Sequence, residues 1–421
     1  MKYINFFFYG SIFIYAFLIC LNPKLASVFL GLIFATALLK IIPKFNTYSP
    51  NHFQKRIVLL TPILFFILTL ISFLFTTDDY LTFKSLGKKV WFVFLPIFFI
   101  WLNPRVLIKI KEYSLYALTL GAFLSSIYLL INIMLLHYNL NNAWVFDASI
   151  LDFYHTGFQF TAPLQIHPTY LGMYILLALA YVLIEKPFRR KYISVIFNVI
   201  VIVTLLFIAS RVVYALVLLL LLLVLVQTLI KILQKNKLKG LVMLLLIFLV
   251  VFLSFSALNK TYIGYRLTKE AYWDLTSEHF NQKNLISKQD SRLSRWKVAV
   301  DLIKKKPFLG YGAGTEKLHL VREYQQRDMK LAAEQRYGAH NQFISYFLEF
   351  GIIGILVFIT FLISNILIAL AHKHFLAVFF FTSLFFLSMF ENIFYNDAGI
   401  IFIAFFSTLF TYLSLNQNMN G

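Results

Sequence analysis

Residues 340–361 read HNQFISYFLEFGIIGILVFITF, and the apolar run continues to residue 371 with Glu349 as its one charged side chain. A helix needs about 20 apolar residues to cross hydrocarbon, so this run reads as a membrane span. Its polar start, His340-Asn341-Gln342, lies at the mouth of that span. Comparable runs recur at roughly 5–22, 25–42, 57–76, 90–102, 113–137, 169–185, 192–209, 212–230, 240–258, 375–390 and 399–415, twelve in all, with 90–102 short for a crossing. The expected fold is all-α, a polytopic integral membrane protein of about 12 transmembrane helices. It divides into N-terminal membrane helices (1–258), one large polar loop (259–341) and C-terminal membrane helices (342–421).

Composition agrees with that reading. The 421 residues are 60% hydrophobic and 13% charged, whereas soluble domains run at about 45–50% and about 25%. Soluble, disordered and fibrous classes are thereby excluded. The balance of 38 Lys+Arg against 18 Asp+Glu gives +20, which in a soluble chain would point to nucleic acid. In a membrane chain it reads as loop charge beside anionic lipid, so no nucleic-acid partner is expected. Cys20 is the only cysteine, which excludes an intramolecular disulfide and a cysteine metal site.

Basic residues set the orientation. With a cytoplasmic N-terminus, the clusters Lys55-Arg56, Arg105 to Lys111, Lys186 to Lys191 and Lys231 to Lys239 fall inside. The short outer loops carry few basic residues: Lys24, Arg211, and Lys84, Lys88 and Lys89 opposed by Asp78 and Asp79. Parity then puts 259–341 outside, since long loops translocate whatever their charge.

Within that loop, RLSRWKVAVDLIKKKPFLGYGAG from Arg292 predicts a helix stopped by Pro307 and a turn built on Gly310, Gly312 and Gly314. Helical spacing puts Leu293, Trp296, Val300 and Ile303 on one face and Lys297, Asp301, Lys304 and Lys305 on the other, with Arg292 and Arg295 on or beside the apolar face. Such a helix could rest on the membrane surface with snorkelling arginines, or hold an anionic substrate. His340 could be a structural hydrogen-bonder or a proton acceptor. Glu349 lies about two turns into its span, where a carboxylate is a functional candidate by default.

The order Arg-x-x-Arg-Trp (292–296), Pro-x-x-Gly-x-Gly-x-Gly (307–314), then His340-Asn341 with Glu349-x-Gly351 resembles the O-antigen ligase and polymerase family of bacterial membrane glycan transferases. Ser210-Arg211, the stretch His167 to Gly172, and Glu391-Asn392 add weaker support. The resemblance implies a GT-C-like helical enzyme of the bacterial inner membrane with its active site facing the periplasm. It also implies an undecaprenyl-diphosphate-linked glycan as donor. The acceptor would be the lipid A core in a ligase, or a second lipid-linked glycan in a polymerase. The family's loop histidine maps onto His340, its loop arginine onto Arg292 or Arg295, and its arginine between spans onto Arg211.

Those residue types suit that chemistry. A sugar on a lipid diphosphate is already activated, so no cofactor is needed. What remains is a base for the acceptor hydroxyl, for which an imidazole serves near neutral pH, and positive charge for the departing diphosphate, which arginine forks provide. No outer Asp-x-Asp pair offers oxygen ligands to a divalent ion, so metal independence is expected. Asn341, Glu349, Glu391 and His167 are candidates for acceptor binding or support, and Asp78 and Asp79 form a reserve general base. A polytopic transporter or flippase is the competing class. It should show broken spans in its two halves, whereas the spans here read as unbroken. A protein O-oligosaccharyltransferase is a further variant of the transferase reading.

Overall fold

The computed structural model describes residues 2–41, 57–144, 147–235, 261–275 and 291–416, and over them it is helical with no strand. The principal helices are α1 (Lys2–Leu18), α2 (Pro23–Ile41), α3 (Ile63–Ile71), α4 (Asp79–Lys89), α5 (Trp91–Ile100), α6 (Pro104–Asn141), α7 (Pro168–Glu185), α8 (Lys191–Ile208), α9 (Arg211–Lys235), α10 (Arg292–Lys305), α11 (Glu316–Gln326), α12 (Lys330–Glu334), α13 (Gln342–Ala371), α14 (Phe375–Phe390) and α15 (Asp397–Asn416). Five of these, α6, α7, α8, α13 and α15, are long and apolar enough to cross a membrane. Five shorter apolar helices lie in α1, α2, α9, α14 and the stretch Ile63–Leu74. The run at 90–102 forms the 10-residue α5 with Pro96 inside it, a length of about 15 Å and too short for hydrocarbon. The run at 240–258 lies outside the described residues.

The chain folds as two compact units. One comprises Met1–Ile19, Pro23–Ala117 and Trp273–Gly421, and the other Cys20–Asn22 and Leu118–Tyr272. In the first, α1 packs along α2, α13 along α14, α15 against α5 and α13, and α10 and α11 against α13. The abundance of Phe explains its core. Phe65 lies 5.1 Å from Phe361 and 5.3 Å from Phe394, ring centre to ring centre, in the tilted and edge-on geometries aromatic quadrupoles favour. Phe394 is 2% exposed, so this aromatic cluster anchors the connection between α14 and α15.

In the second unit, α7 is buried along residues 168–182 and packs against α8 and α9. At the end of α6, His137 Nδ1 stands 3.3 Å from His155 Nε2, and His155 Nδ1 2.6 Å from Asp152 Oδ1.

Two expectations from sequence are corrected. The span α13 is broken at Gly351, where φ is +64° and ψ −156°. The break frees two carbonyls and one N–H of the span for the segment after α10: Tyr311 N donates to Leu348 O, Gly312 N to Glu349 O, and Ile352 N to Pro307 O, each at 2.9 Å. Only glycine fits there, because a Cβ would stand 2.2 Å from the Phe308 carbonyl. The second correction concerns the apolar face of α10. Its buried residues are Arg295, Val298, Ala299, Leu302 and Ile303, while Val300 is 41% exposed. The helix faces Leu320, Tyr324, Met329 and Ala332 in a small core of the loop's own, and that partner surface rotates the buried stripe away from the simple amphipathic reading.

Candidate active site

His340 ends the loop at φ +49°, a left-handed conformation that costs roughly 1–2 kcal/mol outside glycine and so needs neighbours to hold it. Those neighbours are built from four directions. Asn341 caps α13, its side-chain oxygen accepting from Phe343 N at 3.0 Å and Ile344 N at 3.2 Å. Trp296 Nε1 donates to Ala339 O at 2.7 Å. Glu316, fully buried at the start of α11, accepts from Ala339 N at 2.7 Å. The Arg295 guanidinium lies 4.8 Å from the Tyr337 ring centre and donates to Gly338 O at 3.4 Å.

The result is a histidine–carboxylate pair: His340 Nδ1 stands 3.1 Å from Glu391 Oε2. The His340 side chain is 32% exposed and that of Glu391 15%. Glu391 follows α14, and its neighbours are fixed as well. Asn392 Nδ2 donates to Glu316 Oε2 at 3.0 Å, and Arg292 donates to Phe390 O at 3.3 Å while its Nε meets Asp274 Oδ2 at 3.4 Å. Glu316 thus ties both sides of the pair together. A carboxylate at Nδ1 favours the tautomer with the proton there, which leaves Nε2 as acceptor.

The structure brings His340, Asn341, Glu391, Arg292 and Arg295 into one constellation. Arg295 is only 7% exposed, and its buried Nε has no hydrogen-bond partner among the described residues. Glu349 is 4% exposed and its Oε1 accepts from Gly314 N at 2.9 Å, so it fastens the glycine turn. Asp78 caps α4, accepting from Leu81 N at 2.9 Å, and Asp79 is in the first turn of that helix. Lys305, on the outer face of α10, pairs with Glu323 at 2.7 Å. That ammonium and Arg327 hold the Glu323 carboxyl below the usual carboxylate range. His167 and Arg211 belong to the second unit: His167 Nδ1 accepts from Thr169 N at 3.2 Å at the start of α7, and Arg211 begins α9.

Sequence reasoning missed Glu316 and a cavity of about 280 Å³ beside it, lined by Lys84, Lys88, Lys89, Glu349, Tyr395 and others. The signal for the cavity was the four-residue spacing of Lys84 and Lys88, which puts both on one helix face. Glu316 offered no signal beyond its position after the glycines.

Fold and site together define a helical membrane protein with an oriented histidine at the mouth of a span. Residues 196–359 match the family model described as O-antigen ligase. No curated protein matches the chain.

Proposed function

We propose that the chain transfers a glycan from undecaprenyl diphosphate to a hydroxyl of the lipid A core at the periplasmic face of the bacterial inner membrane. His340 is the base. The observation that carries this reading is the pair of His340 Nδ1 with Glu391 Oε2 at 3.1 Å, the histidine lying inside the matched stretch and the carboxylate beyond it. Glu391 fixes the ring and its tautomer, and it stabilises the imidazolium that forms as Nε2 takes the hydroxyl proton. The deprotonated oxygen then attacks the anomeric carbon while the bond to the diphosphate breaks.

Positive charge for the leaving diphosphate comes from Arg292, whose side chain is 20% exposed. Arg295 acts through the loop: its guanidinium is committed to Gly338 and Tyr337, and it positions His340 rather than gripping substrate. The reaction requires no metal in this scheme.

A glycolipid gel of a deletion strain tests the acceptor. Full-length polymer retained on undecaprenyl diphosphate supports ligation. Surface lipopolysaccharide carrying a single repeat would instead identify a polymerase, and single carrier-linked repeats stranded on the inner face a flippase.

A further inference from the structure

We propose that the lysine-lined cavity of the first unit is an anion subsite that receives a phosphate group carried by a glycan substrate. Lys84 and Lys88 lie four residues apart on one face of α4, and Lys89 is 2% exposed at the end of that helix; all three line one cavity of about 280 Å³. Lys88 Nζ donates to Tyr395 O at 3.1 Å and stands 5.1 Å from the centre of its ring, and the Lys317 ammonium stands 5.4 Å from the same ring. Lys89 Nζ donates to Thr69 Oγ1 at 3.0 Å and sits 4.6 Å from the Phe350 ring centre.

Gathering ammonium groups in a half-closed space is unfavourable unless negative charge joins them. Two carboxylates share the lining with the three ammonium groups: Glu349, which also accepts from Gly314 N, attracts Lys88 and Lys89, and Glu316 accepts from Ala339 N and Asn392 Nδ2, so one positive charge is left in excess. Among the described residues no contact within ion-pair distance joins a carboxylate to Lys84, Lys88 or Lys89, and the Ser85 hydroxyl lies in the same lining. Lysine binds phosphate as a point charge, and several lysines around one cavity suit a multiply charged group. Position gives the subsite its use. Glu316 both lines the cavity and holds the backbone one residue before His340, so a group bound here lies beside the histidine–carboxylate pair.

Two sources share this chemistry, the diphosphate of the donor and a phosphate on the acceptor glycan. Choosing between them rests on the transferase reading, whereas anion binding itself does not. The test titrates inorganic pyrophosphate into the full chain in nanodiscs at low salt. Lys84→Gln, at an exposed position, and the double variant Lys84→Gln/Lys88→Gln are compared with Lys304→Gln, a lysine whose side chain is 74% exposed. The cavity variants should weaken binding by about tenfold or more for the pair, and the control should not change it. Undiminished binding in the cavity variants, or no binding by the unaltered protein, overturns the proposal. In a transfer assay a raised KM for the lipid-diphosphate donor assigns the donor phosphate, and a raised KM for the acceptor assigns the acceptor phosphate. Neither KM moving removes the substrate role. If His340→Ala transfers normally while pyrophosphate binding still depends on the lysines, the base assignment fails and the subsite stands.

Discussion

Gly351→Ala should undo the junction between the glycine turn and the broken span. At φ +64° and ψ −156° Gly351 occupies a region open essentially to glycine alone, and forcing another residue there costs about 1–3 kcal/mol. An added Cβ would also stand 2.2 Å from the Phe308 carbonyl carbon and oxygen and 2.6 Å from Leu309 N. These are backbone atoms, so the segment after α10 must withdraw and take with it the three hydrogen bonds at 2.9 Å that link 307–312 to 348–352. At about 0.5–1.5 kcal/mol each, the combined loss is on the order of 3–7 kcal/mol. Withdrawal would also release Gly314 N from Glu349, loosening the start of α11 where Glu316 holds the His340 loop. The check is thermal unfolding in nanodiscs together with glycan transfer, with Gly10→Ala as control because a Cβ there meets nothing within 4 Å. Gly351→Ala should unfold well below the control and lose transfer. Equal unfolding temperatures and equal transfer would refute the account of this junction.

Glu391→Gln keeps the shape of the side chain but removes the charge that stabilises a protonated His340, so turnover should fall by about tenfold or more while the acceptor KM holds; an unchanged turnover would separate Glu391 from the base. Arg295→Lys loses the ring contact with Tyr337 and the bond to Gly338 O, and should lower stability by about 1–3 kcal/mol while leaving the donor KM unchanged. A raised donor KM with full stability would return Arg295 to the substrate. His319 is held down to about 4 by burial first, and then by Arg322 and Lys306. The unfolded chain therefore binds that proton at higher pH than the folded one, and His319 contributes a fall in stability as pH drops from about 6.5 toward 4. Thermal unfolding of His319→Gln should show a flatter pH dependence over that window, and identical slopes would contradict the assignment.

Much of this architecture could be read from residue order. The apolar runs give the helices, Pro307 ends α10 as its ring requires, and His340-Asn341 opens α13 because Asn is a good cap. The buried face of α10 could not be read, since its partners Leu320, Tyr324 and Met329 come from farther along the loop and replace the lipid surface that amphipathicity suggests. In the sequence Gly351 stands only as part of Glu349-x-Gly351. Its actual role depends on the backbone of 307–312 lying against it, a long-range contact with no local signature. Glu316 carries no local signal of its role. Its burial and its hold on both Ala339 and Asn392 arise only once three separated segments meet. Lys84, Lys88 and Lys89 were balanced against Asp78 and Asp79 as loop charge, yet the fold uses Asp78 as a cap and turns the lysines toward a cavity.

The central claim is that His340 accepts the proton of the attacking hydroxyl. Its most direct test is the rate of glycan transfer by purified His340→Ala in proteoliposomes supplied with lipid-diphosphate donor and lipid A core acceptor. Removal of a general base should lower the rate by about 10²- to 10⁴-fold, with membrane insertion and unfolding temperature close to those of the unaltered protein. Transfer at the unaltered rate would contradict the claim and move the base to another group, with Asp78 and Asp79 the next to be replaced.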